Sequence, residues 1–258
     1  MEQTWRIITF NIRRSACDDG ANRWEARAPH VVDWLQEQRP HIIGFQELMP
    51  DAAELLQKRL PGYDWAGCGR SDTLEDEHCC VAWRSDDFVA IRWETFWLSD
   101  TPAIPGSKFA QGNTVWPRTC TALELFSRSS KKRFRVYNTH LDNACEYSKK
   151  IGVRVLLDHI TRAYEDDPLP FLLMGDFNAV PDSEVVKGMY DNSPVALTDY
   201  SLTVNHTYHG YGLDAPCKID YLLGSSEWIL DQIRLDTWHR NGIFLSDHYP
   251  VVADLLLK

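Results

Sequence analysis

Short runs of apolar, β-branched and aromatic residues alternate, early in the chain, with segments whose apolar residues recur every three or four positions. The runs are typical of buried strands, and the recurring spacing is typical of helices packed on one side. The early predicted elements are a strand over residues 5–12, a helix from near Trp24 that Pro40 stops, a strand over residues 41–46, and a helix over residues 50–60. Two strand–helix units therefore come first.

The remainder of the chain is richer in strands. The predicted strands cover residues 78–84, 88–96, 119–126, 133–141, 171–174, 218–223, 233–238 and 249–257, and the predicted helices cover roughly residues 146–164 and 183–189. Residues 101–117, rich in Pro, Gly and Asn, are predicted as a long surface loop, and the basic residues 127–132 as a solvated hairpin loop. No linker divides the chain, so we predict one α/β domain over residues 1–258.

Composition narrows the classes of function. The net charge of −10 disfavours a protein that holds long nucleic acid mainly by neutralising phosphates, but it allows a nuclease with a local basic groove or a metal. The seven cysteines, an odd number without CxxC or Cys/His spacing, argue against a zinc site and against a complete disulfide framework. Because we find neither a signal peptide nor an apolar segment of ~18 residues, we expect a cytoplasmic protein without a membrane span, and no obligate protein partner is evident.

Polar residues at or just beyond strand ends are the main chemical signal. In the stretch Met174-Gly175-Asp176-Phe177-Asn178, the Asp176 carboxylate and the Asn178 side-chain amide would lie on one face of an extended chain. Any one such residue is equally well explained as a cap or a turn residue. Several at the same edge favour a shared crevice instead. The set is Asn11, Glu47, His140, Asp176, Asn178, Asp220, Asp247 and His248.

Carboxylates gathered in one crevice require a cation, because they would otherwise repel each other until one is protonated. Glu47, Asp247 and the Asn11 amide offer oxygen ligands, which suit Mg²⁺, with Mn²⁺ as a substitute, rather than zinc. Mg²⁺ recruits substrate phosphate oxygens, so we expect a phosphate-ester substrate. His140 and His248, each beside a carboxylate, are expected to be charged and to face the phosphate.

Six short motifs occur in an order that resembles the endonuclease/exonuclease/phosphatase superfamily. The resemblance runs from Asn11 to His248, nearly the whole chain. It implies a four-layer α/β sandwich, in which two mixed β-sheets pack face to face with helices outside. The motifs are Thr9-Phe10-Asn11, Gln46-Glu47, Thr139-His140-Leu141, Gly175-Asp176-Phe177-Asn178, Ile219-Asp220-Tyr221 and Ser246-Asp247-His248.

The resemblance also implies roles for these residues. Glu47 is expected to be the principal metal ligand, with Asn11 and Asp247 nearby. Asp176 is expected to position or deprotonate the attacking water. The remaining roles concern the phosphate. Asn178 is expected to hold both the phosphate and Asp176. His248 is expected to pair with Asp220 and contact the phosphate, and His140 to contact it from the other side.

Two further residues match positions of the superfamily that act on the substrate side. Glu77 matches an acidic residue that orients His140 in some members, although it is also readable as an ordinary glutamate at a strand start. Arg118 matches an arginine that binds the substrate phosphate, with a similar alternative. His140 stands where abasic-site endonucleases carry a tyrosine, which disfavours that branch, and the chain looks closer to a bacterial branch with unassigned substrates.

The resemblance implies a Mg²⁺-dependent phosphodiester hydrolase, and we expect a nuclease, endo- or exo-acting, on single-stranded or small nucleic acids. Trp97, Trp116 and Tyr211 lie in predicted loops and are candidates for stacking bases. A phosphatase or phosphodiesterase for a lipid headgroup, a sugar phosphate or a nucleotide is the first alternative, because the same catalytic set serves it. A scaffold of the same fold that binds without catalysis is the second.

Overall fold

The structure is a computed structural model that describes residues 4–112 and 114–258. Its strands and helices interleave along the chain. In chain order they are β1 (Trp5–Asn11), α1 (Trp24–Gln38), β2 (Ile42–Gln46), α2 (Pro50–Arg59), β3 (Tyr63–Ala66), β4 (Val81–Arg84), β5 (Phe88–Trp97), β6 (Thr119–Ser127), β7 (Arg133–His140), α3 (Glu146–Asp166), β8 (Phe171–Asp176), α4 (Glu184–Asp191), β9 (Thr198–Asp199), β10 (Asp220–Gly224), β11 (Trp228–Leu235), β12 (His239–Arg240), β13 (Ile243–Phe244) and β14 (Val251–Leu257).

The first sheet has six strands in the order β11-β14-β1-β2-β4-β3. Its two central strands, β1 and β2, are parallel, and every residue of β2 is buried. Helices α1 and α2 cover one face, where apolar residues of α1 such as Val31 and Leu35 pack on Phe10 and Phe45. Helix α1 ends at Gln38. The next residue, Arg39, has a left-handed φ of 46° and is followed by Pro40, so the chain turns back into the sheet.

The second sheet also has six strands, in the order β5-β6-β7-β8-β10-β9. Strands β7 and β8 are parallel, whereas the other neighbours in this sheet are antiparallel. Helices α3 and α4 cover its outer face with Leu156, Ile160, Val185 and Met189. The long helix α3 begins at Glu146, directly after Cys145, whose sulfur accepts a hydrogen bond from the Ser148 N–H.

The inner faces of the two sheets share one apolar core. Trp5 of the first sheet stacks on Phe134 of the second, with ring centroids 5.3 Å apart, and meets Phe88 edge to face at 5.1 Å. Gln46 and Asn138 form a buried polar link between the sheets, since the Gln46 Nε2 group donates to Asn138 Oδ1 over 2.6 Å. The layers are therefore helices, sheet, sheet and helices, which confirms the predicted four-layer α/β sandwich.

Several boundaries differ from the predicted ones. Strand β4 begins at Val81 rather than at residue 78, because His78 makes only isolated bridges to Leu48 and Gly69. Strand β11 covers Trp228–Leu235 and not residues 233–238, because a bulge between Leu230 and Gln232 breaks the alternation that marks a strand. The short strands β3, β9, β12 and β13 were not predicted. The single domain over residues 1–258 stays a prediction.

Candidate active site

Strand direction brings the polar strand ends of the first sheet to one edge. The parallel strands β1 and β2 end at Asn11 and Gln46, and Glu47 follows directly. Strand β14 runs antiparallel to β1, so the residues just before its start, Asp247 and His248, lie at the same edge.

The second sheet brings its own polar ends together. His140 and Asp176, the last residues of the parallel strands β7 and β8, are register partners, and Asp220, the first residue of antiparallel β10, lies opposite Asp176. Gly175 makes this close pairing possible. Its φ is 145°, and a Cβ there would lie 1.9 Å from the Thr139 carbonyl oxygen. A side chain at residue 175 would push apart the strands that carry His140 and Asp176.

These ends surround a cavity of about 410 Å³. Its lining combines carboxylates, two histidines, four arginines and a few aromatic or apolar groups. The lining residues are Arg13, Arg14, Glu47, Arg70, Glu77, Trp116, Arg118, His140, Asn143, Asp176, Asn178, Tyr208, Cys217, Ile219, Asp247 and His248. The cavity is thus lined by six of the eight residues that the strand ends predicted, and Asp220 lies behind His248. Asn11 also lies behind the cavity wall, where its side-chain nitrogen donates to the lining carboxylates of Glu47 and Asp176.

Asp176 lies at the centre of this arrangement and is 1% exposed. Its Oδ1 accepts a 2.8 Å hydrogen bond from the Asn178 N–H, and its Oδ2 accepts one of 2.9 Å from the Asn11 amide. Burial, and then the negative charge of Asp220, raise the pKa of Asp176 to about 7, although His248 and the two hydrogen bonds act in the opposite direction. A carboxylate with a pKa near neutrality is suited to accept a proton.

His248 and Asp220 form a buried pair. The Nδ1 atom of His248 lies 2.9 Å from Asp220 Oδ2, and its Nε2 atom lies 3.8 Å from Asp176 Oδ2. Burial alone disfavours the imidazolium. The charge and hydrogen bond of Asp220, followed by the charges of Asp176 and Asp247, outweigh burial and raise the pKa of His248 well above its usual range. The raised pKa favours the imidazolium form of His248 at neutral pH.

His140 differs from that expectation. Its Nε2 lies 2.9 Å from the Asn178 side-chain nitrogen and 3.5 Å from Asp176 Oδ2. Burial, followed by the positive charges of Arg118 and Arg70, lowers the pKa of His140 well below its usual range. A neutral ring then accepts the Asn178 N–H at Nε2 and carries its own proton on Nδ1, so the prediction of two charged histidines is wrong for His140.

Glu47 and Asn11 are held by the backbone around them. Glu47 has a left-handed φ of 58°, and its Oε2 accepts a 3.1 Å hydrogen bond from the Arg14 N–H. The Asn11 side-chain nitrogen bridges the carboxylates of Glu47, at 3.2 Å, and Asp176, at 2.9 Å, while its oxygen accepts the Arg13 N–H at 3.0 Å. In this structure Asn11 therefore holds the two carboxylates and turns its oxygen away from them.

The carboxylates of Glu47 and Asp247 face the same cavity. Asp247 is 6% exposed, and burial is the first cause that raises its pKa; His248 opposes that rise and the charge of Glu47 adds to it. Arg13 stands beside both and has its Nε 3.5 Å from Asp247 Oδ2. Carboxylate oxygens that face one cavity and repel each other fit a hard divalent cation such as Mg²⁺ or Mn²⁺.

A second group of potential ligands lies close by. Asp176, Asp220 and His248 each place one donor atom within 4.8 Å of the others. His248 already shares its Nδ1 with Asp220, and its raised pKa keeps a proton on the ring, which a metal would have to displace. The donor chemistry therefore favours Glu47 and Asp247 as the cation ligands. The Asp220–His248 pair then remains free to contact a phosphate.

Comparison with known proteins agrees with this geometry. The model of the Endonuclease/Exonuclease/phosphatase family matches residues 8–248. The chain belongs to this family. Its members are phosphoesterases and generally depend on a divalent metal, which confirms the predicted superfamily and the predicted class of enzyme, a metal-dependent phosphoesterase.

Solved structures and a curated relative extend the comparison. A Bacteroides vulgatus protein described as an endonuclease/exonuclease/phosphatase is 25% identical, covers all of both chains and has a TM-score of 0.90. A mannosyl-6-phosphatase of Bacteroides thetaiotaomicron is 24% identical over 98% of this chain and 100% of its own, with a TM-score of 0.88. An uncharacterised protein of Acanthamoeba polyphaga mimivirus is 26% identical over 166 residues, 60% of this chain and 59% of its own length. The match thus spans less than two thirds of that relative.

Glu77 and Arg118, the two residues predicted on the substrate side of this phosphoesterase, both line the cavity. Glu77 Oε2 lies 4.0 Å from His140 Nδ1, beyond hydrogen-bond length, and instead accepts a 2.8 Å hydrogen bond from Arg70. Arg118 is 7% exposed; its Nη2 donates to Asn143 over 3.1 Å, and its Nε, although buried, has no hydrogen-bond partner among the described residues.

Three arginines of the cavity, Arg13, Arg14 and Arg70, were not predicted. Arg14 Nη1 lies 3.2 Å from Glu77 Oε1, and Arg70 is 3% exposed between Glu77 and Asp76. The position of Arg13 and Arg14, directly after Asn11 and Ile12, was an available signal. Nothing local marks Arg70, because a loop between β3 and β4 brings it to the site.

The three aromatic residues predicted in loops have different placements. Trp97 is the last residue of β5, is 3% exposed and donates its indole N–H to the Arg70 carbonyl, so its prediction as a loop residue is wrong. Tyr211 is half-buried, outside the cavity lining, with its hydroxyl 3.4 Å from Asp19 Oδ2. Trp116 lies on the loop between β5 and β6, lines the cavity and is 48% exposed.

Proposed function

We propose that this protein is a Mg²⁺-dependent hydrolase of a small phosphate ester, with Mn²⁺ as a substitute cation. One observation carries the proposal. Asp176, with a pKa of about 7, lies within 4 Å of the Nε2 atoms of both histidines, in a cavity that also presents Glu47, Asp247 and four arginines. That combination offers a base, a cation and donors for phosphate oxygens in a single site.

In this proposal each residue performs one task. Glu47 and Asp247 hold the cation, which supplies charge neutralisation at the phosphate when bound. Asp176 orients the attacking water and takes its proton, and the His248 imidazolium donates from Nε2 to a phosphate oxygen. Asn178, whose side chain contacts neutral His140, fixes the position of Asp176, and Arg118 contributes a guanidinium to the phosphate. A general base alone supplies only ~10²–10⁴ in rate, so the cationic groups carry much of the acceleration.

The size and charge of the cavity support a small substrate. Its volume of about 410 Å³ is in the range of small-molecule sites. Its arginines are paired with carboxylates of the protein, as in Arg13 with Asp19 and Arg70 with Glu77, and the chain carries a net charge of −10. These features favour local recognition of a phosphate over attraction of a long polyanion.

A nuclease acting on single-stranded nucleic acid is the second candidate. The half-exposed indole of Trp116 at the cavity favours it, because an exposed aromatic ring stacks on bases of any sequence. In that case the scissile phosphate belongs to the end of a strand or to a short oligonucleotide.

The test is a substrate panel with matched variants. We expect hydrolysis of p-nitrophenyl phosphate or bis-p-nitrophenyl phosphate in Mg²⁺ and its loss in EDTA. Asp176→Asn is expected to abolish turnover and to keep the fold, whereas Asp86→Asn, which changes an exposed carboxylate, is expected to leave turnover unchanged. Faster cleavage of a single-stranded oligonucleotide than of both small esters favours the nuclease. No EDTA-sensitive turnover of any of these substrates contradicts the proposal.

Two broader properties are also part of the proposal. We propose that residues 1–258 form one catalytic domain, since both sheets contribute strand ends to the cavity. We also propose a cytoplasmic location, since all seven cysteines, each within the described residues, are free thiols, which a reducing compartment maintains. Among the described residues no helix is long and apolar enough to cross a membrane.

A further inference from the structure

Trp116 lines the cavity with a half-exposed indole ring. The Arg70 guanidinium carbon lies 5.1 Å from the centre of the indole ring, so Arg70 covers part of the ring. The side chain nevertheless remains 48% exposed and lines the same cavity as Asp176 and His248. A large apolar surface left open beside a polar site is typical of a binding surface.

Arg70 holds this ring in place. It is 3% exposed, and it donates from Nη1 to Glu77 over 2.8 Å and from Nε to Asp76 over 3.0 Å. Its carbonyl oxygen accepts a 2.7 Å hydrogen bond from the buried indole of Trp97. The guanidinium beneath Trp116 is therefore fixed before any ligand arrives, and a fixed surface binds with less loss of conformational entropy.

The same contacts connect the ring to the phosphate side of the cavity. Glu77, which binds Arg70, has its Oε2 4.0 Å from His140 Nδ1, and His140 Nε2 lies 3.5 Å from Asp176. Four side-chain contacts, through Arg70, Glu77 and His140, thus link Trp116 to the candidate base Asp176. Because Trp116, Asp176 and His248 line one cavity, a single ligand can place a phosphate at one end and a flat ring at the other.

We infer that Trp116, backed by Arg70, binds the nucleobase of a nucleoside monophosphate unit whose phosphate lies at Asp176 and His248. The inference rests on the proposed function and adds the substrate class to it. A base, rather than a sugar ring, is favoured because a planar π-system covers the open indole face completely. Stacking of one base on an aromatic side chain is expected to tighten binding by about 5- to 150-fold.

The experiment measures equilibrium binding to the full-length protein by calorimetry in Mg²⁺, with AMP, ribose 5-phosphate and mannose 6-phosphate as ligands. AMP is expected to bind about 5- to 150-fold tighter than ribose 5-phosphate. Trp116→Ala is expected to remove this difference without changing ribose 5-phosphate affinity, and Trp116→Phe to keep most of it. Trp93→Ala is the matched control, since Trp93 is 51% exposed on β5 and lies outside the cavity lining; it is expected to change nothing.

Three results overturn the inference. They are equal wild-type affinities for AMP and ribose 5-phosphate, a loss of both affinities in Trp116→Ala, and a Trp116-dependent preference for mannose 6-phosphate. Turnover of p-nitrophenyl phosphate separates this failure from failure of the proposed function, because that reaction does not require the ring-binding surface. Absence of both turnover and ribose 5-phosphate binding overturns both proposals. A 5′-phosphorylated adenylate pentamer that binds tighter than AMP assigns the site to a strand end, and equal binding assigns it to a free nucleotide.

Discussion

Replacing Asp220 by Asn tests whether His248 acts as a cation. The substitution keeps the shape of the side chain and removes the charge that lies 2.9 Å from His248 Nδ1. At an effective dielectric constant of about 20, a charge pair at that distance is worth roughly 6 kcal/mol, or about four pKa units. Because burial opposes the charged ring, His248 is then expected to be neutral at neutral pH.

The expected kinetic effect has a magnitude and a pH signature. Losing one charged donor at a phosphate is expected to lower kcat by about 10²–10³-fold. The charge of Asp220 also raises the pKa of Asp176, so its removal lowers that pKa as well. Both changes move the activity of Asp220→Asn toward lower pH, where His248 regains its proton while Asp176 remains ionised.

The assay is kcat against pH for p-nitrophenyl phosphate at saturating Mg²⁺, with wild type and Glu94→Gln in parallel. Glu94 pairs with His159 at 3.2 Å, but its side chain is 60% exposed, so Glu94→Gln is expected to leave the profile unchanged. Activity of Asp220→Asn close to wild type, or a loss of activity without any acid shift of the profile, refutes the cationic role of His248.

Three further predictions concern the cation, a supporting lysine and stability. Glu47→Gln is expected to raise the Mg²⁺ concentration for half-maximal activity by at least about 10-fold, and an unchanged Mg²⁺ titration contradicts Glu47 as a ligand. Lys149 is 6% exposed, and its Nζ donates over 2.8 Å to the carbonyl of Asn178, whose φ is 47°. Lys149→Met is expected to lower kcat by about 10- to 100-fold without changing the Mg²⁺ titration. The control, Lys150→Met at an exposed position, is expected to leave kcat unchanged. Burial, and then a nearby arginine, lowers the pKa of His41 to about 4, so the free energy of unfolding is expected to fall as pH drops from about 6.5 toward about 4, and His41→Asn is expected to reduce that loss in pH-dependent denaturation.

The strand ends could be predicted from sequence because their signal is local. A buried strand is a short apolar run, and a polar residue at its end stands out, as Asp176 does after Phe171–Met174. Knowledge of parallel and antiparallel pairing then explains why ends from distant segments meet. The bounds of irregular strands could not be predicted in this way, because the bulge in β11 and the two-residue strand β9 have no periodic pattern of apolar residues.

The charge states and the arginines depended on tertiary contacts that no local pattern contains. His140 and His248 both stand beside carboxylates in space, yet one pKa falls and the other rises. Burial disfavours a charge on either ring; at His140 the charges of Arg118 and Arg70 add to that effect, whereas at His248 the hydrogen-bonded Asp220 outweighs it. Arg70 reaches the site only through a loop and a buried pair with Glu77. Trp97 was predicted in a loop because the length of β5 was underestimated by one residue.

The central claim is that carboxylates from separate strands hold one divalent cation beside Asp176. A crystal structure of the protein grown with Mn²⁺, with anomalous diffraction recorded at the manganese edge, tests it most directly. We expect a single strong anomalous peak in contact with Glu47 and Asp247, lost in Glu47→Gln. A peak between Asp220 and His248 instead, or no peak in the cavity at a Mn²⁺ concentration that supports turnover, contradicts the claim.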